Sequence, residues 1–249
     1  MYNLPYDPEK ETIEDLQLAG FSLIQAKNAF RYGMDSVLLA HFADILPGDT
    51  VCDFGTGNGI LPLLLIGRGK GKRFYAFEIL KEAPDLAKRN VVLNSLEETV
   101  IIIQSDISEA SVFLNPCSID AIVCNPPYSQ PLSSLKSPNE QKATAKNQKT
   151  DTLDRFFSSA FTILKGKGKL SLIYPAPQML YIMKKMQQFH IEPKRIRLVY
   201  PSARKPANLV LIEAVKDAKP TLHHLPPLII HDENGDLTSE LKSVYHISE

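Results

Sequence analysis

The chain has 249 residues, of which 44% are hydrophobic and 22% are charged, and its formal net charge is zero. This length suits one α/β domain with additions and is short for two full domains. Three cysteines without paired spacing argue against a disulfide scaffold and a zinc site, and no apolar stretch approaches the length of a membrane span. The acidic N-terminus lacks the apolar run of a signal peptide. We therefore expect a cytoplasmic protein without metal or membrane contacts.

Strand and helix patterns alternate along most of the chain. The first twenty residues are polar and predicted to be irregular, and a short strand is expected within 21–33. Further strands are predicted at 50–54, 72–79, 99–104, 119–124 and 169–175, and helices at 34–46, 60–66, 81–96, 152–164 and 177–189. A Gly-containing turn is expected to close the helix at 152–164, and 129–150 are expected to form a long polar loop. Strands separated by single helices favour a parallel, doubly wound sheet.

The C-terminal third departs from this alternation. Strands predicted at 194–201 and 207–215 follow each other without a helix, so at least one must run antiparallel. A strand-like run, a turn at Asn234-Gly235 and a short helical pattern follow. The sequence thus predicts a Rossmann-like, seven-stranded, mostly parallel sheet with one antiparallel strand near the C-terminus. We expect an N-terminal extension over 1–30 and a single domain over 31–249, which includes the C-terminal addition.

A glycine loop follows the strand at 50–54. Gly55, Gly57 and Gly59 have the spacing G-x-G-x-G between a strand and a helix, where glycines let the backbone approach a ligand. Asp53 directly precedes the loop and would repel a pyrophosphate, but it suits a ligand that carries an ammonium group. Glu78 ends the next strand, where a carboxylate accepts hydrogen bonds from ribose hydroxyls. Together these features predict S-adenosyl-L-methionine as the cofactor, against the alternative of a tight turn without a ligand.

Two further polar residues follow strands at the same predicted sheet edge. Asp106 comes after the third core strand and is a candidate acceptor for the adenine amino group of the cofactor, or an ordinary loop aspartate. Asn125 follows the fourth core strand and begins the motif Asn-Pro-Pro-Tyr. In open α/β sheets, ligands bind at this carboxyl edge.

The Asn-Pro-Pro-Tyr motif suits methylation of a flat amine. The lone pair of such an amine is delocalised, and two acceptors on its two hydrogens would make the nitrogen more nucleophilic. Asn125 Oδ1 and the Pro126 carbonyl are the two acceptors, held rigid by Pro126 and Pro127, and Tyr128 can stack on the ring. Positioning and electrostatics would supply most of the catalysis, without a metal or a dedicated base. The alternative is a turn that only terminates the strand.

The glycine loop and Asn-Pro-Pro-Tyr together make the sequence resemble the class I S-adenosylmethionine-dependent amino-methyltransferases. The stretches "RYGMDSVLLAHFA", "AKRNVVLN" and "IEPKRIRLVYPSARKPANLVLIEA" resemble the tRNA1(Val) adenine-37 N6-methyltransferase family in its Gram-positive form. The resemblance implies cofactor contacts at Tyr32 and Asp35, besides the glycine loop and Glu78, and a target adenine at Asn-Pro-Pro-Tyr. Lys146 stands where many relatives carry an arginine, a departure that bears on the substrate more than on the chemistry.

Charge is distributed unevenly along the chain. Residues 136–205 hold 15 Lys or Arg against four Asp or Glu, a surplus of +11 that the rest of the chain offsets. This segment predicts a surface for nucleic-acid phosphates, against the alternative of a solvated basic face. The candidate RNA-binding residues are Lys142, Lys146, Lys149, Arg204 and Lys205.

The sequence leaves the acceptor open among four classes. RNA is favoured, with tRNA as the substrate and an adenine N6 as the acceptor. Asn-Pro-Pro-Tyr also serves methylation of glutamine amides in proteins, of adenine in DNA and of guanine N2 in ribosomal RNA. The short segment before the first core helix disfavours a protein acceptor, and the lack of a recognition domain disfavours DNA. A non-catalytic RNA-binding protein is a further alternative, which the intact Asp53, Glu78 and Asn125 disfavour.

Overall fold

The computed structural model describes residues 6–27, 33–80, 83–126 and 153–246. An N-terminal hairpin is formed by β1 (Glu11–Asp15) and β2 (Ser22–Ala26). The other strands are β3 (Thr50–Phe54), β4 (Arg73–Glu78), β5 (Val100–Gln104), β6 (Ile119–Cys124), β7 (Leu164–Pro175), β8 (Ile191–Ser202), β9 (Leu209–Lys216), β10 (His223–His224) and β11 (Leu228–His231). The helices are α1 (Met34–Phe42), α2 (Ile60–Gly67), α3 (Ala83–Leu93), α4 (Ala110–Phe113), α5 (153–163), α6 (Met179–Gln188) and α7 (Ser239–Val244).

The central sheet has the strand order β5-β4-β3-β6-β7-β9-β8, and β10 and β11 both pair with β8. Strand β9 runs antiparallel to both of its neighbours, and the other pairs are parallel. The predicted mostly parallel sheet with one antiparallel strand is therefore confirmed. The sheet contains two short strands more than the seven expected, because the C-terminal addition extends the edge at β8.

Each face of the sheet packs against its own hydrophobic core. Leu38 and Leu64, from α1 and α2, belong to one core, and Phe54 and Phe157, from β3 and α5, belong to the other. The central strands are buried on both faces and read as continuous apolar runs, as expected in a parallel sheet. Within the ranges that the structure describes, no helix is long and apolar enough to span a bilayer.

The first twenty residues contain a strand, so the prediction of an irregular segment was wrong. Asn90 of α3 and Asn94, directly after this helix, explain why β2, the partner of this strand, is fixed in place. The Asn90 amide accepts from Ile24 N (2.6 Å) and donates to Ile24 O (3.0 Å), and the Asn94 amide makes the same pair of bonds with Ser22 (2.9 and 2.8 Å). Four residues of helix and two residues of strand both rise by about 6 Å, so the two amides match one edge of β2.

The helix α5 ends in a way that the sequence did not indicate. Strand β7 begins directly at Leu164, and its pairing with β6 is irregular up to Lys169, in the Gly-containing stretch where the turn was predicted. The buried Lys216 ammonium donates to the carbonyls of Phe161 (2.7 Å) and Leu164 (2.8 Å). A lysine from β9 thus satisfies carbonyl groups at the end of the helix that would otherwise be buried without a donor.

Candidate active site

Three parallel strands bring the predicted site residues to one edge of the sheet. Asp53 of β3 is in register with Ala76 of β4 and with Val123 of β6. Two residues further on, Gly55 therefore lies between Glu78 on one side and Asn125 on the other. Because neighbouring strands are about 4.8 Å apart, Glu78 and Asn125 are separated by two strand spacings, or about 10 Å. The cofactor half and the acceptor half of the predicted site are thus adjacent.

The glycine loop is tied to the end of β4 by backbone hydrogen bonds. Gly55 N and Thr56 N both donate to Phe77 O (3.0 and 2.9 Å), and Gly57 N donates to the Glu78 carboxylate (2.9 Å). Gly55 and Gly57 have φ angles of +79° and +57°, which L-residues with side chains rarely adopt. A Cβ atom at either glycine would meet no other atom within 4 Å, so the space against the loop is open. Gly59 follows as the N-cap of α2.

The Glu78 carboxylate is held against this loop. One oxygen accepts from Gly57 N, and the other accepts from Leu80 N at 2.9 Å. The residue is only 7% exposed, so its position is fixed before any ligand binds. A preorganised carboxylate of this kind can accept from a ligand hydroxyl with its remaining lone pairs.

Asp53 is a buried carboxylate without a hydrogen-bond partner among the described residues. It is 0% exposed, and no hydrogen bond of normal geometry reaches either of its carboxylate oxygens. Burial raises the pKa of Asp53 to about 7; the Thr56 hydroxyl opposes this rise, and the nearby Glu78 charge adds to it. A buried acid in this state costs free energy unless a cation compensates it. An ammonium group of a ligand would supply that compensation.

Asp106 has a structural role of its own at the same edge. It is the N-cap of a short 3-10 helix (Ile107–Glu109), and its side chain accepts from Ser108 N at 2.8 Å. The cap orients one carboxylate oxygen and leaves lone pairs of the other for further acceptance. A contact between Asp106 and a cofactor stays a prediction.

The acceptor half of the site is described in part. Asn125 and Pro126 are partly buried, and Asn125 Nδ2 donates to the hydroxyl of Ser36 on α1 at 3.1 Å. Asp35, next to Ser36, lies in the first turn of α1. Pro127, Tyr128 and Tyr32 lie outside the described residues. The start of α1 therefore joins a predicted cofactor residue to the first residue of Asn-Pro-Pro-Tyr, a contact that the sequence did not indicate.

Exposed apolar side chains flank Glu78, and sequence reasoning did not single them out. Ile79 and Leu80 are 62% and 64% exposed, and Phe113 is 50% exposed and packs edge-on against Phe77 at 5.9 Å between ring centroids. Exposed apolar side chains near a fixed carboxylate suit the binding of a flat heterocyclic ring. The sequence signal that could have identified these side chains is the hydrophobic pair Ile79-Leu80 directly after Glu78, the acid that ends β4.

The basic segment is partly neutralised in space. Six of its described side chains form ion pairs, five of them with acids from outside 136–205: Lys165–Asp120, Lys169–Asp44, Lys185–Asp154, Arg195–Glu213, Arg197–Glu240 and Arg204–Glu233. A count along the sequence therefore overstates the local field. The candidate residues Lys142, Lys146 and Lys149 lie outside the described residues.

Arg204 and Lys205 lie in the turn between β8 and β9. Since β7 and β8 are both antiparallel to β9, they run in the same direction, and this turn lies at the same sheet edge as Asn125. Three strand spacings, about 14 Å, separate β8 from β6. Arg204 is 86% exposed and its ion pair with Glu233 is equally exposed, so water screens that pair strongly. Both residues remain candidates for contact with an extended ligand.

No group of three or more His, Cys, Asp or Glu side chains that could hold a metal ion occurs in the part of the chain that the structure describes.

Comparisons with known proteins agree with this geometry. The family model "Methyltransferase small domain" matches residues 33–190. The chain is 28% identical to a tRNA1(Val) (adenine(37)-N6)-methyltransferase from Vibrio campbellii over 232 residues, which cover 90% of this chain and 92% of the relative. It is also 28% identical over 229 residues to a protein of the same name from Porphyromonas gingivalis, with 88% and 89% covered.

Solved structures share the fold at lower identity. A predicted O-methyltransferase from Agrobacterium tumefaciens superposes with a TM-score of 0.67 at 20% identity, covering 86% of this chain and 96% of that chain. The M. jannaschii TYW2 in complex with AdoMet superposes with a TM-score of 0.55 at 16% identity, covering 85% and 87%. The family match spans more than half of the chain and contains the glycine loop, Glu78 and Asn125. The chain therefore belongs to the Methyltransferase small domain family and is an S-adenosylmethionine-dependent methyltransferase with the class I fold.

Proposed function

We propose that this enzyme methylates the N6 amino group of an adenine in tRNA. The observation that carries the proposal is the position of Asn125, which lies at the level of Gly55 and Glu78 and begins Asn-Pro-Pro-Tyr. Relatives that cover about nine-tenths of the chain are named as adenine N6-methyltransferases of tRNA1(Val), which supports this acceptor. The domain over 31–249 would carry the reaction, with 1–30 as an extension.

The residues at the sheet edge fit S-adenosylmethionine. Asp53 would face the positive methionine end, because its buried carboxylate lacks a partner among the described residues. The open space at Gly55 and Gly57 would let the ligand approach the loop backbone, Gly59 would carry the loop into α2, and Glu78 would accept from the ribose. The proposed set of cofactor contacts also includes Asp106, Asp35 and Tyr32.

The chain's own residues would position the target amine. When bound, the cofactor supplies an electrophilic methyl group on a sulfonium. Asn125 Oδ1 and the Pro126 carbonyl oxygen each accept a hydrogen bond from one N–H group of the amine, and Tyr128 stacks on the base. Two fixed acceptors favour the tetrahedral nitrogen that methyl transfer requires, so they act most strongly in the transition state. The nitrogen loses its extra proton to solvent after the transfer, which requires no dedicated base.

The basic residues support an RNA substrate over a protein substrate. Arg204 and Lys205 lie at the reaction edge, and Lys142, Lys146 and Lys149 follow Asn-Pro-Pro-Tyr along the chain. Lysine and arginine contacts to phosphates position an RNA without reading its sequence. A tRNA substrate places the enzyme in the cytoplasm.

Methylation of total RNA and of protein extract from a deletion strain tests the proposal. With isotope-labelled cofactor, wild-type enzyme is expected to produce labelled N6-methyladenosine in tRNA, whereas Asn125→Ala produces little. Label in N2-methylguanosine of ribosomal RNA, or in methylglutamine of protein, would refute the adenine assignment. Cofactor binding without any methylation would instead favour a non-catalytic RNA-binding protein.

A further inference from the structure

One side-chain hydrogen bond links the first helix to the predicted catalytic motif. Asn125 Nδ2 donates to Ser36 Oγ at 3.1 Å, although the two residues are 89 positions apart. Ser36 is 3% exposed, so its hydroxyl is inaccessible to bulk water. Neither the glycine loop nor Asn-Pro-Pro-Tyr requires this contact, and no part of the proposed chemistry above uses it.

The contact matters because the two ends of an asparagine amide have the same shape and opposite hydrogen-bonding roles. Only the amide oxygen can accept a hydrogen bond from an amino group. The amide nitrogen is itself a donor, so its hydrogens would repel those of the amine. The surrounding hydrogen bonds decide which end faces the substrate. With Nδ2 donating to Ser36, the Asn125 amide is anchored by its nitrogen end, and its oxygen is the end that can accept from an amine.

Ser36 is a rigid anchor for this purpose. Its own N–H donates to Gly33 O at 3.3 Å in the first turn of α1, and the next residues of the helix are buried in the core. At the other end of α1, the Lys70 ammonium donates to the carbonyls of Ala40 (2.9 Å) and Ala43 (2.6 Å). A helix that is buried from Ser36 to Ala40 and capped in this way cannot shift without disrupting the core.

We propose that Ser36 is a positioning residue that anchors the Asn125 amide through Nδ2 and so holds Oδ1 in place to accept from the target amine. This inference rests on the proposed function, since it assigns the orientation of the group that accepts from the amine. Ser36 acts through Asn125 and does not itself touch the substrate. Because Asp35 is its neighbour on α1, the same helical turn serves both halves of the site.

Kinetics of serine variants test the proposal. Ser36→Ala is expected to lower kcat roughly 10-fold, as expected for the loss of one net hydrogen bond in the transition state, with cofactor affinity unchanged. Ser36→Thr keeps the hydroxyl and is expected to restore most of the rate. Ser171→Ala is the matched control, because this serine is equally buried and its hydroxyl lies near Glu213, 3.4 Å away. An equal loss of rate in the Ser36→Ala and Ser171→Ala enzymes would overturn the proposal.

A double-mutant cycle separates positioning from general support of the fold. If Ser36 acts through Asn125, then Ser36→Ala has no further effect on the single-turnover rate in the Asn125→Ala enzyme. Additive losses would overturn the proposal. A wild-type enzyme that binds cofactor but methylates no RNA would refute the proposed function instead.

The orientation can also be measured without any substrate. In nitrogen-15 spectra, the Asn125 side-chain amide, assigned by its absence in Asn125→Ala, is expected to exchange its hydrogens slowly in wild type and in Ser36→Thr. Ser36→Ala is expected to accelerate that exchange. Equal exchange rates in wild type and Ser36→Ala would overturn the proposal, whichever acceptor the enzyme uses.

Discussion

Replacing Asp53 by asparagine is expected to stabilise the cofactor-free protein while it abolishes cofactor binding. Asp53 is fully buried, its oxygens have no hydrogen-bond partner among the described residues, and burial raises its pKa from 3.8 to about 7. Above pH 7 the folded protein must therefore hold an uncompensated charge in its interior. Asparagine has nearly the same shape and carries no charge at any pH.

The size of this effect follows from proton linkage. Between pH 4 and 7 the folded protein keeps the Asp53 proton and the unfolded chain releases it, so this group's contribution to stability falls as the pH rises. A difference of about three pKa units, at about 1.4 kcal/mol per unit, corresponds to about 4 kcal/mol. The stability of Asp53→Asn relative to wild type should therefore increase by up to about 4 kcal/mol from pH 4 to pH 7 and stay constant above it.

Urea unfolding of both proteins across this pH range measures the effect. Saturating S-adenosylmethionine, at about 100 times its Kd, is expected to stabilise only the wild type, by about 2.7 kcal/mol. The affinity of wild type for the cofactor should weaken below pH 7, because the protonated acid cannot pair with an ammonium group. A stability difference that does not change with pH would refute the assignment of an unpaired buried charge. Normal cofactor affinity in Asp53→Asn would refute its binding role.

Asn90→Ala removes the partners of the Ile24 backbone, so the free energy of unfolding should fall by about 2 to 4 kcal/mol, and unchanged hydrogen exchange at Ile24 would contradict this. Asn125→Ala should slow single-turnover methyl transfer on the order of 10²-fold with unchanged cofactor affinity, and a near-normal rate would exclude it from the catalytic set. For tRNA binding, the slope of the logarithm of the binding constant against the logarithm of the salt concentration should become less steep by about one unit in Arg204→Ala, and by the same amount in Lys205→Ala. Slopes identical to that of wild type would argue for a solvated surface.

The order of elements and the placement of the proposed cofactor residues at one sheet edge were predictable because their signals are local. The apolar runs of β3 to β7 and the intervening helical periodicity fix a parallel sheet, and adjacent strands without a helix fix the antiparallel β9. Gly55, Gly57 and Asp53 are close in sequence because one strand-loop-helix unit presents them together. Glu78 ends β4 and Asn125 follows β6, the two strands that flank β3, so the rule that ligands bind at the carboxyl edge was sufficient to bring them to the same edge.

Other features depended on residues that are distant in sequence. The polar segment of β1 gave no apolar signal. Its partner β2 is fixed by the amides of Asn90 and Asn94, at and just after the end of α3, rather than by an apolar face alone. The +11 surplus along the chain is reduced in space by acids such as Asp44 and Asp120, which no window of sequence associates with it.

The sequence by itself determined that this chain carries a glycine loop, a strand-ending acid and Asn-Pro-Pro-Tyr at one edge of a parallel sheet. Only the tertiary structure decided that Asp53 is a buried acid without a partner among the described residues, and that Asn125 hydrogen-bonds to Ser36 of α1. The physical reason is that patterns of period and spacing report the backbone path, whereas desolvation and side-chain hydrogen bonds depend on atoms that packing brings together. Ser36 and Asn125 are neighbours only because the fold brings the first turn of α1 next to the residue that follows β6.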